Sequence, residues 1–128
     1  MNHYWNFKAI ACVLVALSVL AGAFGAHGLK DILTTSELTT WATASNYLLS
    51  QGLGILILSC LPQSPKLTLG LKLILFGVIT FSVSLFMLVS FTLKIIAMLT
   101  PFGGMLMIVG WGVIAWHCFR QYEFTQVK

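Results

Sequence analysis

The stretch LILFGVITFSVSLFMLVSFTL, residues 73–93, runs without a single charge between Lys72 and Lys94. An α-helix rises 1.5 Å per residue, so a run of this length reaches about 30 Å, the thickness of the hydrocarbon core of a bilayer. It reads as a transmembrane helix, and the rest of the chain takes its place around it.

The composition of the whole supports a membrane setting. Of 128 residues, 59% are hydrophobic and only 8% charged, and the mean hydropathy is +0.96. A domain of this size buries only about two-thirds of its surface on folding, so a water-soluble globule would leave too much apolar area outside. The net charge of +4 comes from seven Lys and Arg scattered singly. A nucleic-acid binder needs a basic face or stripe, which this pattern does not supply.

Working outward, residues 9–26 form a second uncharged run, preceded by Lys8 and by Tyr4 and Trp5, whose rings suit the headgroup level. Ala21 and Ala23 resemble a signal-peptidase site. The apolar run is nevertheless longer than the roughly 7–15 residues of a signal core, so it is read as a retained span. After Lys30, Asp31 and Glu37 the chain is uncharged over residues 38–65. Thr34 and Glu37 have the spacing of a capping box and predict a helix start near residue 35, ahead of the membrane. The segment PQSP, residues 62–65, predicts a turn. Thr100-Pro101 predicts an N-cap followed by proline at the first helical position of a last span, which closes at Trp116, Arg120 and Tyr122. The expected fold is therefore all-α: an integral membrane four-helix bundle with short loops, one domain over residues 1–128. Its spans lie at about 7–26, 46–61, 71–93 and 101–119, with a polar outer segment at 27–45.

With both termini in the cytoplasm, Lys8, Lys66, Lys72, Arg120 and Lys128 lie inside and Lys30 and Lys94 outside, which the positive-inside rule favours. Cys12, Cys60 and Cys118 then sit near the cytoplasmic ends of their helices, where thiols stay reduced.

Helices in lipid associate through close backbone approach and polar contacts. Gly22, Gly25 and Gly28 on the first span, and Pro101, Gly103, Gly104, Gly110 and Trp111 on the fourth, are the expected helix-packing positions. Gly52 and Gly54, and Gly70, Gly77 and Ser84, offer small residues on the other two. The densest polar cluster at the outer end is His27, Lys30 and Asp31. On a continuing helix His27 and Asp31, four residues apart, would share a hydrogen bond, and an ionisable group beside the membrane is a candidate functional group. Gln51 on the second span is added to this set as an intramembrane polar side chain.

No nucleophile elbow, Walker loop, dinucleotide fingerprint or zinc-protease helix is present in the sequence. Asp31, Glu37 and Glu123 are its only carboxylates, and the topology separates the last from the others. His117 and Cys118 are adjacent but lack a metal-ligand spacing. Neither enzyme activity, nor a metal, nor a cofactor is expected.

The motifs GAFGAHGLK (22–30), TPFGG (100–104) and Gly110-Trp111, in a chain of this length with four spans, resemble the "domain of unknown function 423" family of small inner-membrane proteins, relatives of transmembrane protein 256. The resemblance covers nearly the whole chain and implies a four-helix membrane fold, with no assigned biochemical activity. Members resemble one another in a histidine shortly after a tyrosine at the start of span two, where this chain has Tyr47 and Gln51. A Gly-Ser-Leu-Tyr stretch of span three reads Val83-Ser84-Leu85-Phe86 here. A proton relay through paired histidines is thereby put in doubt, while a hydrogen-bonding role that glutamine can fill remains.

The function expected is that of a structural, accessory or oligomerising component of the inner membrane, with the lipid bilayer, a second copy or another membrane protein as its partner. The alternative is a small transporter or channel formed by an oligomer, with His27 and Gln51 near the path.

Overall fold

A computed structural model describes residues 6–91 and 94–126, with side chains up to residue 91 and from 95 to 122. The readings made for Tyr4, Trp5, residues 92–93, the side chains of Lys94 and Glu123, and Lys128 lie outside the described residues.

Helix α1, Phe7–Ala23, is opened by Asn6, whose side chain accepts the Ala9 N–H at 3.1 Å. It passes directly into a π-helical turn, Phe24–Gly28, closed by the Leu29 N–H on the Phe24 carbonyl at 3.0 Å. Helix α2 spans Thr35–Ser59 and starts on a complete capping box: Thr34 Oγ1 accepts the Glu37 N–H, and the Glu37 carboxylate accepts the Thr34 N–H. A short turn through Pro62 leads to α3, Pro65–Phe91, where Ser64 Oγ accepts the Leu67 N–H at 3.2 Å. A 3-10 turn, Lys94–Met98, runs without a break into α4, Leu99–Gln126. The described residues contain no strand.

Thr100 is not the N-cap that the sequence suggested. The preceding 3-10 turn carries the helix back to Leu99, so Thr100 is already helical and its hydroxyl lies 2.7 Å from Ser84 Oγ on α3. Pro101 is still in the first turn, where a missing N–H costs no helical hydrogen bond.

Each helix packs on its neighbours in the chain: α1 on α2, α2 on α3, α3 on α4. The pairs are antiparallel, as Gly25 against Trp41 and Gly52 against Leu14 show for the first, and Gly70 against Gly110 and Gly77 against Gly103 for the last. Helices α2 and α3 are each covered on two sides, and α3 carries the largest share of the core, with Leu67, Leu71, Ile74, Leu75 and Val78 all buried. The opposite faces are apolar and open: Leu20 is 66%, Ile57 68% and Ile108 73% exposed. Such surfaces are unfavourable in water and at home among acyl chains.

Three helical stretches are long and apolar enough to cross a bilayer: Phe7–Gly28, Pro65–Phe91 and Ile95–Tyr122. Helix α2, 25 residues long, is more polar because of Thr39, Thr40, Thr43, Ser45 and Asn46 in its first half.

Candidate functional site

The π-helical turn at the end of α1 is packed against one side chain of α2. Trp41 of α2 pushes its indole against Gly25, where an added Cβ would lie 2.6 Å from Trp41 Cδ1. Only glycine leaves that space. The indole N–H donates to the Ala21 carbonyl at 2.7 Å, and the ring is tilted against Phe24 and Phe86 at centroid distances of 6.3 and 4.6 Å. Trp41 thus ties α1, the π-turn and α3 to one point of α2. π-Turns of this kind interrupt the regular ladder and recur at functional sites.

One to two turns deeper, Ser45 Oγ donates to the Ser18 carbonyl at 2.8 Å, and Gly22 leaves room for it, its added Cβ meeting Ser45 Oγ at 3.3 Å. Ser82 Oγ of α3 donates to the Ala44 carbonyl at 2.9 Å. Ser45 and Ser82 are both buried, so two hydroxyls pin α1, α2 and α3 across one level of the fold, while the buried Ser18 hydroxyl donates to the Val15 carbonyl of its own helix. Polar contacts between helices in lipid contribute on average about 0.6 kcal/mol each. Among the described residues no buried side-chain N or O atom lacks a partner.

The polar residues singled out in the sequence do not converge. The helix ends at Gly28, so His27 and Asp31 no longer share a helical face; both are exposed, and no hydrogen bond between them is formed. Lys30 is exposed and lines a cavity of about 360 Å³ with Gly22, Gly25, Trp41, Ser45 and Asn46. Gln51 lies elsewhere. It is 16 residues into α2 from Thr35, about 24 Å along the axis, and its Oε1 accepts the Trp111 indole N–H at 2.7 Å. A path through both His27 and Gln51 is therefore not formed within the chain. Glu37, in the polar segment ahead of the spans, has its carboxyl held below the ordinary carboxylate range, chiefly by the backbone N–H of Thr34 and then by its hydroxyl.

On the fourth helix, Gly103 faces Gly77 and Gly110 faces Gly70; an added Cβ at Gly103 or Gly110 would lie 2.7 or 2.9 Å from the facing glycine's carbonyl oxygen. Gly28 would meet only Phe24 of its own turn, and a Cβ on Gly104 has nothing nearer than 4.0 Å. Pro101 is exposed. Trp111 reaches across to α2 and rests on Gly54, whose added Cβ would lie 2.9 Å from the ring. At the far end of this seam His117 Nε2 lies 2.9 Å from Ser64 Oγ. Cys12, Cys60 and Cys118 are free and exposed, and the described residues gather no three metal-ligating side chains.

Trp41 is the residue the sequence did not single out. Its signal was available: it is the only large ring among the small and polar residues 39–46, and the small face of Ala21 and Gly25 lies on the preceding helix.

Four helices joined by short turns, three of them apolar over a bilayer's thickness, define a small polytopic α-helical membrane protein. The chain belongs to the family described as "Protein of unknown function (DUF423)", whose sequence profile matches residues 21–104. That segment opens at Ala21, the acceptor for Trp41, and closes at Gly104, beside the Gly103 contact with α3. Among its relatives, the UPF0382 membrane protein of Staphylococcus epidermidis is 34% identical over 84% of this chain and 90% of its own length. A UPF0382 membrane protein of Staphylococcus saprophyticus is 34% identical over 89% of this chain and 97% of its own, and one of Staphylococcus aureus 35% identical over 82% and 88%. No solved structure matches the chain.

Proposed function

We propose that the protein is a structural or accessory component of the cytoplasmic (inner) membrane, a four-crossing unit that packs with a second copy or with another membrane protein and carries out no chemistry of its own. The observation that carries this reading is the use of its polar groups. Within the spans they are spent on internal contacts: Ser45 to Ser18, Ser82 to Ala44, Ser84 to Thr100, and Trp111 to Gln51. What is left outward is apolar, with Phe102, Met105 and Ile108 more than 60% exposed on α4. A surface of this kind offers packing area and little for a solute to follow.

Helix α2 is the fourth crossing in this reading. Its threonines bond back to their own helix, Thr39 to the Thr35 carbonyl, Thr40 to Ser36 and Thr43 to Thr39. A hydroxyl satisfied in this way can enter an apolar layer at small cost. The antiparallel sequence of helices then puts the start of α1, the α2–α3 turn and the end of α4 on one side, assigned to the cytoplasm by Lys8, Lys66, Lys72 and Arg120.

Blue-native electrophoresis after mild solubilisation, with crosslinking in the native membrane, tests the accessory role. A band larger than the monomer, or a reproducible crosslinked partner, is the expected result. A bare monomer with no crosslinked species would refute it.

A further inference from the structure

We infer that the end of the molecule formed by the α2–α3 turn and the last turns of α4 carries a site for the phosphate of an anionic membrane lipid. The observation is a cavity of about 370 Å³ lined by Ser64, Pro65, Lys66, His117, Arg120 and Gln121. It is built where the start of α3 meets the last turns of the antiparallel α4, and the contact between Ser64 Oγ and His117 Nε2, at 2.9 Å, fixes their separation. Two cationic side chains from different helices, Lys66 and Arg120, flank it, and neither forms an ion pair among the described residues. The described carboxylates, Asp31 and Glu37, lie at the other end of the fold. Glu123, three residues beyond Arg120, has its side chain outside the described residues. The cavity also opens at the start of the 27-residue helix α3, whose first turn adds partial positive charge.

Two features select a lipid phosphate over a free one. Trp116 is 61% exposed and lies four residues before Arg120, on the same face one turn deeper, and Phe119 and Tyr122 are 71% and 67% exposed beside it. Aromatic rings in that arrangement mark the headgroup level, so the cavity sits where lipid phosphates are. The apolar face of α4 below Arg120 gives the acyl chains of the same lipid a surface to lie along. Arginine and lysine together suit the phosphate: the guanidinium fork can take two oxygens while the ammonium supplies a point charge.

This inference does not need the accessory role, and its test reads a different quantity. Native mass spectrometry of the full-length protein in detergent, titrated with phosphatidylglycerol and separately with phosphatidylcholine of the same chains, should show the anionic lipid bound about thirtyfold more tightly, the scale expected for two basic residues at a charged surface. The double variant K66Q/R120Q should lose that preference, whereas K66R, which keeps the charge, and K30Q, at the opposite end, should retain it. Both altered residues are exposed, so the thermal midpoint of the double variant in phosphatidylcholine should match that of the wild type. Equal binding of the two lipids, or a preference that survives K66Q/R120Q, would overturn the site. Displacement of phosphatidylglycerol by an equal concentration of inorganic phosphate would overturn its assignment to lipid.

Discussion

At the scale of single residues, Trp41 and Glu37 make different kinds of contribution. Trp41 combines one hydrogen bond, to the Ala21 carbonyl, with ring contacts to Gly25, Phe24 and Phe86. Trp41→Phe removes the N–H and keeps most of the ring, so it should cost about 0.6 to 1.7 kcal/mol, the range for hydrogen bonds between membrane helices. Trp41→Ala also empties the space over Gly25 and should cost about 3 kcal/mol. Thermal unfolding in detergent distinguishes the two, and equal losses would show that the ring packing contributes little. Glu37 acts through charge. Its carboxyl is held low by Thr34, so its stabilisation is fully present above the ordinary carboxylate value of about 4.3 and is lost as the pH falls through the still lower value of the folded state. Glu37→Gln keeps a capping side chain without a titrating group. The gap in midpoint between wild type and E37Q should therefore be constant from neutral pH down to that range and narrow below it; a gap that widens on acidification would contradict the capping account.

At the scale of elements, the α3–α4 pair is organised by a repeat of seven. Gly70, Gly77 and Ser84 on α3, and Gly103, Gly110 and His117 on α4, recur at that interval, and the glycines meet backbone to backbone. An interval of seven keeps one seam facing the partner along the length of two helices. A Cβ at Gly103 would approach the Phe81 N at 2.6 Å and the Gly77 carbonyl at 2.7 Å, and backbone cannot swing aside as a side-chain tip can. Gly103→Ala should therefore destabilise by about 1–3 kcal/mol despite the better helix propensity of alanine. Gly104→Ala, with open space around it, should be neutral or stabilising in the same assay, and equal losses at both positions would remove the seam from the explanation. Much of this was legible in the sequence. Charge-free runs located the helices, the Thr34/Glu37 spacing located the start of α2, and the glycines were visible as close-approach residues. The π-turn was not, because the contact of Trp41 with Gly25 beside it joins two helices 16 residues apart in the chain, and Thr100 is no N-cap because the 3-10 turn ahead of it carries the helix back to Leu99. Gln51 and His27 looked alike as isolated polar groups; tertiary packing brings Gln51 to Trp111 of α4 and leaves His27 exposed.

For the whole molecule, the polar residues and the charges divide the labour. Some polar groups within the spans tie one helix to another and the rest bond to their own helix, while the charges lie toward the helix ends. Antiparallel packing of successive helices places the turn at residues 60–64 on the side opposite the segment at residues 29–34. The first is followed by Lys66 and Lys72 and lies beside Arg120, while the second carries Lys30 and Asp31 together, so the excess of positive charge belongs to the first. Transfer of basic segments across a membrane is disfavoured, which predicts that Gln63 faces the cytoplasm and Ile32 the exterior. Both are exposed, Ile32 to 75%, and suit replacement by cysteine in a chain from which Cys12, Cys60 and Cys118 have been removed. In intact cells a membrane-impermeant maleimide should label Ile32→Cys and leave Gln63→Cys untouched until the membrane is permeabilised. The reverse pattern would invert the orientation. Labelling of both in intact cells would mean that α2 does not cross, and that the bonds of Thr39, Thr40 and Thr43 to their own helix do not carry it through the apolar layer.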